Sequence, residues 1–309
     1  MSEETDPPAS GTRVPWPEVH PAARAAVEEF LGAPVTEAVT QTGGFSPAAA
    51  ARLRAANGRR VFVKAVGPEP NPDSVRIYRA ERRIAAALPA SVPAPRLLTS
   101  FEIEGWVVLV FEDVEGRHPE LPWRRAELHR VMEAVRGMSA ALTPAPIEAP
   151  PVAEVFDKAF RGWRRLLGED TTGLDPWALR HLGALAELES GWAVAAAGDT
   201  LLHADLRADN LLLTEERVYV VDWPWACVGA AWFDSLAMLP SVAMQGGPAP
   251  QELFPDSDPA ATAVLAAFTG YLVRQGRQPP PPGLPTLRAF QRAQGVVSLD
   301  WLKQRTGWE

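Results

Sequence analysis

The sequence predicts an α+β protein in which a small strand-rich lobe is followed by a larger, mostly helical lobe. Short strand patterns occupy residues 36–66 and 95–113, with a helical pattern between them. From about residue 123 onward, helical patterns dominate. The chain of 309 residues is also long for a single small core, which favours a division into two lobes. We place the N-terminal lobe at 21–112 and the C-terminal lobe at 113–309.

The first residues predict a tail and then a helix. Residues 1–20 are acidic and rich in proline, which predicts a disordered segment. The stretch "PAARAAVEEFLG" is typical of a short helix, with Pro21 in its first turn and Gly32 after its last residue.

The strand patterns of the first lobe predict a mostly antiparallel sheet with one inserted helix. "TEAVTQTGGFS", "AAARLRAA" and "RRVFVKAV" are typical of short strands, and Asn57-Gly58 between the last two is a strong hairpin signal. Residues 72–89 predict the inserted helix, because proline bounds the segment at both ends. Two more strands are expected around Glu104-Gly105.

The second lobe is expected to be built from helices and one small hairpin. The apolar runs "LLLT" and "RVYVV" predict the hairpin. Helical patterns lie near residues 124–142, 152–167, 174–190, 232–243, 259–275 and 284–304.

Composition excludes several classes of protein. A net charge of -8 and a pI near 5.3 argue against a nucleic-acid partner, since phosphate-binding surfaces cluster Lys and Arg, whereas small cationic substrates remain compatible. The N-terminus lacks the features of a signal peptide, and no apolar run approaches a membrane span. We therefore expect a cytoplasmic protein without a membrane partner. The single cysteine, Cys227, is expected to be a small buried hydrophobe.

The stretch "LLHADLRADNLLL" at 201–213 places polar residues between runs of leucine, at the rim of a core. His203, Asp205 and Asn210 fit the kinase catalytic-loop pattern H-x-D-L-x-x-x-N. In phosphoryl transfer the aspartate faces the attacking hydroxyl and the asparagine reaches a magnesium ion on the nucleotide phosphates. Asp222 follows the apolar run "RVYVV", where a carboxylate is costly unless it is paired or bound to metal. The alternative is a polar turn beside a hairpin.

Lys64 and Glu81 form a second candidate pair. Strand alternation in "VFVK" puts Phe62 and Lys64 on one face and the valines on the other. Glu81 lies on the inward stripe of the predicted helix and has no basic partner within that helix, so it requires a cation from elsewhere. A lysine held by such a glutamate positions nucleotide phosphates in kinases. An unrelated surface pairing is the alternative.

The stretch "TGGFS" contributes Gly43, Gly44 and Ser46 between two predicted strands, where a phosphate-covering loop would lie. Taken alone, the stretch is better explained as a glycine-rich hairpin turn, which is far commoner, since it is neither G-x-G-x-x-G nor G-x-x-x-x-G-K-[ST].

Over residues 35–305 the chain resembles the aminoglycoside phosphotransferase family, the small-molecule branch of the protein-kinase-like fold that includes choline kinases. The resemblance depends on "HADLRADN" and "VVDWPW", with support from "VFVK" and Glu81. It also includes "LVFEDVEG", which is similar to the linker whose backbone holds adenine and which contains Phe111, Glu112 and Asp113. It implies a bilobal fold with a nucleotide-binding first lobe and a catalytic, substrate-binding second lobe.

The resemblance also implies roles for individual residues. Asp205 is expected to be the catalytic base, with Asn210 and Asp222 as magnesium ligands. Lys64, held by Glu81, is expected to bind phosphate.

Two more residues are expected to support the catalytic loop. His203 would brace it from within, and Asp234 in "WFDSLAML" would anchor it from below. An ordinary acidic residue at a helix N-terminus is the alternative for Asp234.

Departures from the protein kinases favour a small acceptor. Ala204 stands where those enzymes have the arginine that reads a phosphorylated activation loop. Only a short segment separates Asp222 from the next helix, and it contains no A-P-E motif. There is accordingly no room for such a loop.

The expected function is an O-phosphotransferase dependent on ATP and Mg²⁺ that acts on an aminoglycoside or a similar hydroxylated antibiotic. The acids of "QELFPDSDP" at 251–259 could meet amino groups, and Trp223, Trp225 and Trp232 could form an aromatic wall, although solvated acids and core tryptophans are the commoner outcomes. Kinases of amino alcohols, sugars or nucleosides and a catalytically inactive pseudokinase are the alternatives.

Overall fold

The structure, a computed structural model, describes residues 12–46, 48–69, 72–254 and 258–309. The described part has a five-stranded antiparallel sheet in its N-terminal lobe and mostly helices in its C-terminal lobe, so the α+β prediction is confirmed. The strands of the first lobe are β1 (Val35–Thr40), β2 (Ala49–Ala55), β3 (Arg60–Val66), β4 (Leu97–Ile103) and β5 (Trp106–Glu112). Its helices are α1 (Pro21–Leu31) and α2 (Pro72–Ala87).

The sheet has the order β1-β2-β3-β5-β4, and its two faces have different surroundings. Val61 and Val63 of β3 are buried in a cluster that contains Val27 and Leu31 of α1. The opposite face of β3 carries Lys64, as the alternation predicts. One side of the strand therefore builds the core, and the other faces the cleft between the lobes.

The hairpin between β2 and β3 forms at the predicted dipeptide. Gly58 has a φ of 85°, which glycine adopts without the steric cost of a Cβ. The Ala55 amide donates to the Arg59 carbonyl oxygen at 2.9 Å and closes the turn. This hairpin fixes the register of β3 and hence the face on which Lys64 lies.

Residues 12–20 correct the prediction of a disordered tail over 1–20. Trp16 and Val19 are buried in the same cluster as α1, with exposed fractions of 6% and 1%. Burial of these apolar side chains offsets the entropy lost on ordering the segment, which composition alone did not reveal. The rest of the predicted tail, residues 1–11, lies outside the described residues.

The second lobe contains the predicted helices, although two of the longer patterns are divided. Its elements are α3 (Arg125–Ala141), α4 (Val152–Phe156), α5 (Gly162–Leu166), α6 (Pro176–Arg180), α7 (Leu182–Ser190), α8 (Trp192–Ala195), β6 (Thr200–Leu202), β7 (Leu211–Leu213), β8 (Val218–Val220), β9 (Cys227–Gly229), α9 (Phe233–Met244), α10 (Pro250–Leu253), α11 (Pro259–Gln275) and α12 (Leu287–Thr306). Among the helices of the described ranges, none is both long and apolar enough to cross a membrane.

Two small antiparallel pairs frame the polar segment "HADLRADN". The hairpin of β7 and β8 is the predicted one, whereas the pairing of β6 with β9 was not predicted. Cys227 lies in β9 opposite Leu202 and is fully buried, as expected. Burial raises the pKa of its thiol, which keeps the cysteine neutral. The polar segment thus leaves one strand pair and enters the other.

Helices α5 and α11 approach each other closely at a pair of glycines. A Cβ on Gly162 would lie 2.0 Å from the carbonyl oxygen of Gly270, a distance that no side chain can occupy. The contact allows α5 to pack backbone to backbone against the central helix of the lobe.

We predict that Gly162→Ala lowers the free energy of unfolding by about 3 kcal/mol, because the methyl group must push α5 away from α11. Gly137→Ala is the matched control. Gly137 lies within α3, and a Cβ there would meet no atom within 4 Å. Gly137→Ala should leave the free energy of unfolding unchanged or raise it by about 0.5–1 kcal/mol, because alanine has the higher helix propensity. Chemical denaturation of both variants measures the difference, and equal stabilities would contradict the close contact.

Candidate active site

One buried carboxylate holds the start of the segment that runs from His203 to Asn210. Asp234, in the first turn of α9, accepts hydrogen bonds from the backbone amides of His203 at 2.8 Å and Ala204 at 2.7 Å. Its exposed fraction is 4%. Burial raises the pKa of its carboxyl above the ordinary value, although His203 and the two amides favour the charged form. The bonds hold Ala204 at a φ of 65°, which turns the chain sharply before Asp205.

The His203 side chain links this segment to the residues before Asp222. Its Nε2 lies 2.9 Å from the carbonyl oxygen of Val221, and its Nδ1 accepts from the amide of Asp205 at 3.2 Å. Burial lowers the pKa of the imidazole, so the ring is neutral and Nε2 carries the proton. The His203 and Trp223 rings are nearly perpendicular, and their centroids lie 4.8 Å apart. His203 therefore positions backbone on both sides of the site.

Asp205 and Asn210 lie next to each other at the floor of the cleft. The Asn210 Nδ2 donates to the carbonyl oxygen of Asp205 at 2.7 Å, and the turn at 208–210 brings the two residues together. Burial raises the pKa of the Asp205 carboxyl to about 6, although the Arg207 guanidinium offsets part of the effect. The carboxylate is thus poised to exchange a proton near neutral pH.

Arg207 is the main residue of the site that sequence analysis did not identify. Its Nη1 donates to Asp205 Oδ1, and its Nε and Nη2 each lie 3.0 Å from one oxygen of Asp209. Burial disfavours the charged guanidinium, yet the two carboxylates outweigh that cost and raise its pKa. An arginine between two acids in "DLRAD" was a signal in the sequence that could have identified it.

Lys64 is shared by two carboxylates from different lobes. Its Nζ lies 2.6 Å from Glu81 Oε2 on α2 and 2.6 Å from Asp222 Oδ1 in the second lobe. Glu81 is 2% exposed, so its charge requires this partner. The structure therefore brings together all three residues that the sequence analysis selected separately.

Burial and the ion pair shift the pKa values of Lys64 and Asp222 in opposite directions. Burial disfavours the charged Lys64, but Asp222 and Glu81 outweigh it and raise the pKa of the ammonium. Burial would also raise the pKa of the Asp222 carboxyl, but Lys64 dominates and lowers it. Asp222 has a φ of 69°, a left-handed conformation that aspartate tolerates better than most residues. The conformation turns its carboxylate toward Lys64.

The glycine-rich segment lies above these residues and is braced from the N-terminal segment. Gly44 has a φ of 84°, and a Cβ on it would lie 3.0 Å from Arg13 Nη2. Arg13 donates to the carbonyl oxygens of Gly43 and, at 3.0 Å, of Ser46. The Ser46 hydroxyl lies 3.0 Å from that of Tyr78 on α2. Arg13 lies within the predicted tail and was therefore not predicted as a site residue.

The segment at the end of β5 lines the cleft, and its acidic side chains form ion pairs with arginines. The Asp113 carboxylate pairs with Arg52 at 2.6 Å and Arg60 at 2.7 Å, and Glu112 pairs with Arg96 at 2.9 Å. Phe111 also lines the cleft. The acidic side chains of this segment are therefore paired with arginines.

Two chambers meet at these residues. The first, of about 160 Å³, lies between the lobes and is lined by Lys64, the glycine-rich segment, the end of β5 and Asn210. The second, of about 350 Å³, lies beside Asp205, mostly against the C-terminal lobe, and is bounded on the other side by the glycine-rich segment and α2. Phe45, Ser46 and Asp222 line both. A ligand in one chamber thus contacts the boundary of the other.

The three tryptophans after Asp222 have different surroundings. Trp225 lines the second chamber and is half-buried. Trp223 is buried and donates from Nε1 to the carbonyl oxygen of Val220 at 3.0 Å. Trp232 packs against Phe254. Only one member of the expected aromatic wall therefore lines the second chamber.

Two oxygen donors are compatible with a magnesium ion at the junction. The Asn210 Nδ2 is committed to Asp205, so its amide oxygen is the group able to bind a cation, and Asp222 has a carboxylate oxygen besides the one on Lys64. Mg²⁺ typically takes one or two protein oxygens and completes its shell with water and phosphate. Within the described ranges there is no cluster of three or more His, Cys, Asp or Glu suited to a metal. The residues fit an ion that arrives with a nucleotide.

Comparison with solved structures identifies the fold. An aminoglycoside phosphotransferase, APH(4)-Ia, crystallised with ADP and hygromycin B, is 16% identical with a TM-score of 0.60, and the match covers 93% of this chain and 99% of that one. A choline/ethanolamine kinase family protein from Mesorhizobium loti is 16% identical with a TM-score of 0.57, over 92% and 93% of the two chains. Amicoumacin kinase hAmiN, in complex with AMP-PNP, Ca²⁺ and Ami, is 10% identical with a TM-score of 0.52, over 85% and 88%.

Comparison of the sequence itself gives the family. No curated protein sequence gives a significant match. The model of the phosphotransferase enzyme family matches residues 41–269, a span that begins before the glycine-rich segment and extends past Asp234 into α11. The protein-kinase-like bilobal fold and the predicted family are thus both confirmed, and the chain belongs to the phosphotransferase enzyme family.

Proposed function

We propose that this phosphotransferase is dependent on ATP and Mg²⁺ and transfers the γ-phosphoryl group to a hydroxyl of a small molecule. The observation that carries the proposal is the junction of the two chambers beside Asp205 and Asp222. A nucleotide between the lobes and an acceptor in the C-terminal lobe would meet there. Structural relatives crystallised with ADP or AMP-PNP support a nucleotide as the donor.

Asp205 serves as the catalytic base in this proposal. The acceptor oxygen attacks the γ-phosphorus and forms the new P–O bond, and the bond from that phosphorus to the β,γ-bridging oxygen breaks. ADP leaves with the electron pair of the broken bond, and the hydroxyl proton passes to the Asp205 carboxylate. A carboxyl with a pKa of about 6 accepts this proton at neutral pH and releases it again to solvent.

The remaining residues hold the nucleotide. Lys64 binds phosphate oxygens while Glu81 keeps its ammonium in place, and Asn210 and Asp222 supply oxygens for Mg²⁺. When bound, Mg²⁺ neutralises charge on the phosphates. The glycine-rich segment with Gly43, Gly44 and Ser46 covers the phosphates, and the backbone of Phe111, Glu112 and Asp113 holds the base.

The acceptor is the part of the proposal with the most alternatives. An aminoglycoside or similar antibiotic remains the prediction from the sequence, and amino alcohols, sugars and nucleosides use the same scaffold. A pseudokinase would bind nucleotide without transfer. Against it, the lysine, its glutamate partner and the expected base are all present.

We predict that Asp205→Asn lowers acceptor-stimulated ADP release by about 10²–10⁴-fold, because the amide cannot take the hydroxyl proton. Binding of Mg²⁺ and ADP, measured by calorimetry, should persist. In the unsubstituted enzyme kcat/KM should fall below about pH 6, where the raised pKa leaves Asp205 protonated. Retention of full turnover by Asp205→Asn would exclude Asp205 as the base.

We predict that Asp222→Asn weakens the binding of ADP in the presence of Mg²⁺ by roughly tenfold or more, because the neutral amide is a poorer ligand for a hard cation. Without Mg²⁺ the loss should be much smaller. Asp199→Asn is the control, since Asp199 is an exposed aspartate outside both chambers. Equal losses with and without Mg²⁺ would show that Asp222 acts on the nucleotide through another route.

We predict that Arg207→Met moves the acid limb of the kcat/KM profile upward by on the order of one pH unit. The sign follows from charge: Arg207 lowers the pKa of the Asp205 carboxyl, so its removal raises that pKa further and the base ionises only at higher pH. Arg207→Lys keeps the positive charge and should move the limb less. If the maximum of kcat/KM falls while the acid limb stays at the same pH, Arg207 contacts the substrate and does not set the pKa of the Asp205 carboxyl.

A further inference from the structure

The second chamber is walled mostly by carbon. Aromatic rings dominate its lining, and aliphatic and polar side chains supply the remainder. The rings come from the glycine-rich segment, α2, α4 and the residues that follow it, α9, α11, α12 and the segment after Asp222. The aromatic residues are Phe45, Tyr78, Phe156, Phe160, Trp225, Phe233, Phe268, Tyr271 and Phe290. Aromatic side chains of this kind bind a ligand through its apolar surface or through the carbon face of its ring system.

The charges at the chamber do not suit a polycation. Among the described residues that line it, the carboxylates are Asp205 and Asp222, both used in the proposed transfer. Arg207 places a guanidinium on Asp205 and packs over the ring of Phe45 at 5.4 Å. An acceptor with several ammonium groups would therefore leave water without carboxylates to receive them.

Three acids elsewhere in the lobe are committed to other partners. Glu252 accepts from the Ala249 amide at 3.1 Å, and Asp258 accepts from the Ala260 amide at 2.8 Å, so both cap helices. Glu189 is fully buried and pairs with Arg164 at 3.0 Å. Asp256, the remaining acid of "QELFPDSDP", lies outside the described residues.

Neutral polar groups lie at one side of the chamber. The Gln291 Nε2 donates to the Tyr271 hydroxyl at 3.0 Å, and the Gln291 Oε1 accepts from Arg288 at 2.7 Å. Gln294, one turn further along α12, also lines the chamber. Amide and hydroxyl groups of this kind bind the hydroxyl and carbonyl groups of an uncharged ligand.

We propose that the acceptor is an uncharged, hydroxyl-bearing compound with an extended apolar face, and not a polycationic amino sugar. The inference rests on the proposed function, since it names the substrate class of the same site. The apolar face lies on the aromatic walls, and the reacting hydroxyl points to Asp205, where it takes the γ-phosphoryl group of ATP and gives its proton to the carboxylate. A volume of about 350 Å³ lies within the range of pockets that enclose drug-sized molecules.

The first experiment compares two panels of acceptors at equal concentration. One panel contains neutral macrolactones and steroid or terpenoid alcohols, and the other contains polycationic aminoglycosides. ADP release with ATP and Mg²⁺ is measured for each compound, and transfer is confirmed by mass spectrometry. We expect at least one neutral compound to exceed every aminoglycoside by tenfold or more in kcat/KM.

The second experiment adds a carboxylate to the chamber wall. Gln294→Glu should raise the affinity for an aminoglycoside at least tenfold and lower kcat/KM for the best neutral acceptor, because a carboxylate replaces an amide that lines the chamber. Val296→Glu is the matched control, because it adds the same charge to the same helix at a side chain that is 60% exposed. Val296→Glu should change neither kcat/KM for the neutral acceptor nor the affinity for the aminoglycoside.

The third experiment removes one aromatic wall. Trp225→Ala should raise the KM for the neutral acceptor at least tenfold while kcat changes less than threefold. Trp308→Ala is the control, because this half-buried tryptophan stacks on Trp177, which lies outside the chamber. Thermal unfolding of both variants tests whether they remain folded.

The outcomes separate the acceptor class from the proposed function. A preference for aminoglycosides, or no response to any neutral compound, overturns the acceptor class even when Mg²⁺-dependent ATP binding and transfer to another acceptor persist. Absence of Mg²⁺-dependent nucleotide binding in calorimetry overturns the proposed function itself. A neutral preference that Gln294→Glu shifts toward the aminoglycoside supports the proposal.

Discussion

The ion pair of Lys64 with Glu81 and Asp222 is the interaction on which the arrangement of the site depends. It joins β3, α2 and the segment after β8 through one ammonium group. Because Glu81 is buried, removal of Lys64 would leave its carboxylate without a compensating charge in a poorly solvated place. The positions of both lobes at the cleft are therefore coupled to the protonation and partners of a single lysine.

A second constraint acts from below the cleft. Asp234 and His203 hold the turn at Ala204 through backbone bonds, so Asp205 is presented on a rigid element although it lies on a loop. A loop held in this way keeps the geometry that proton transfer requires without the cost of ordering it at each turnover. Arg207 then balances the charge of the two acids that the loop carries.

The candidate site residues could be selected from the sequence largely because they obey local rules. The spacing of His203, Asp205 and Asn210 is short, and the alternation of β3 assigns Lys64 to a face without knowledge of the rest of the chain. The brace by Arg13 could not be predicted in the same way. Its segment has the composition of a tail, and its order depends on the burial of Trp16 and Val19 against a sheet formed by distant residues.

The sequence alone determined the lobes, the family pattern and the residues expected to transfer phosphate, because these depend on periodicity and short spacings. Only the tertiary structure decided the character of the second chamber. Its walls come from Phe45 near one end of the chain to Gln294 near the other, and no local pattern joins them. Net charge was equally uninformative, since an acidic protein can place acids on helix caps and in salt bridges and line a chamber with aromatic rings.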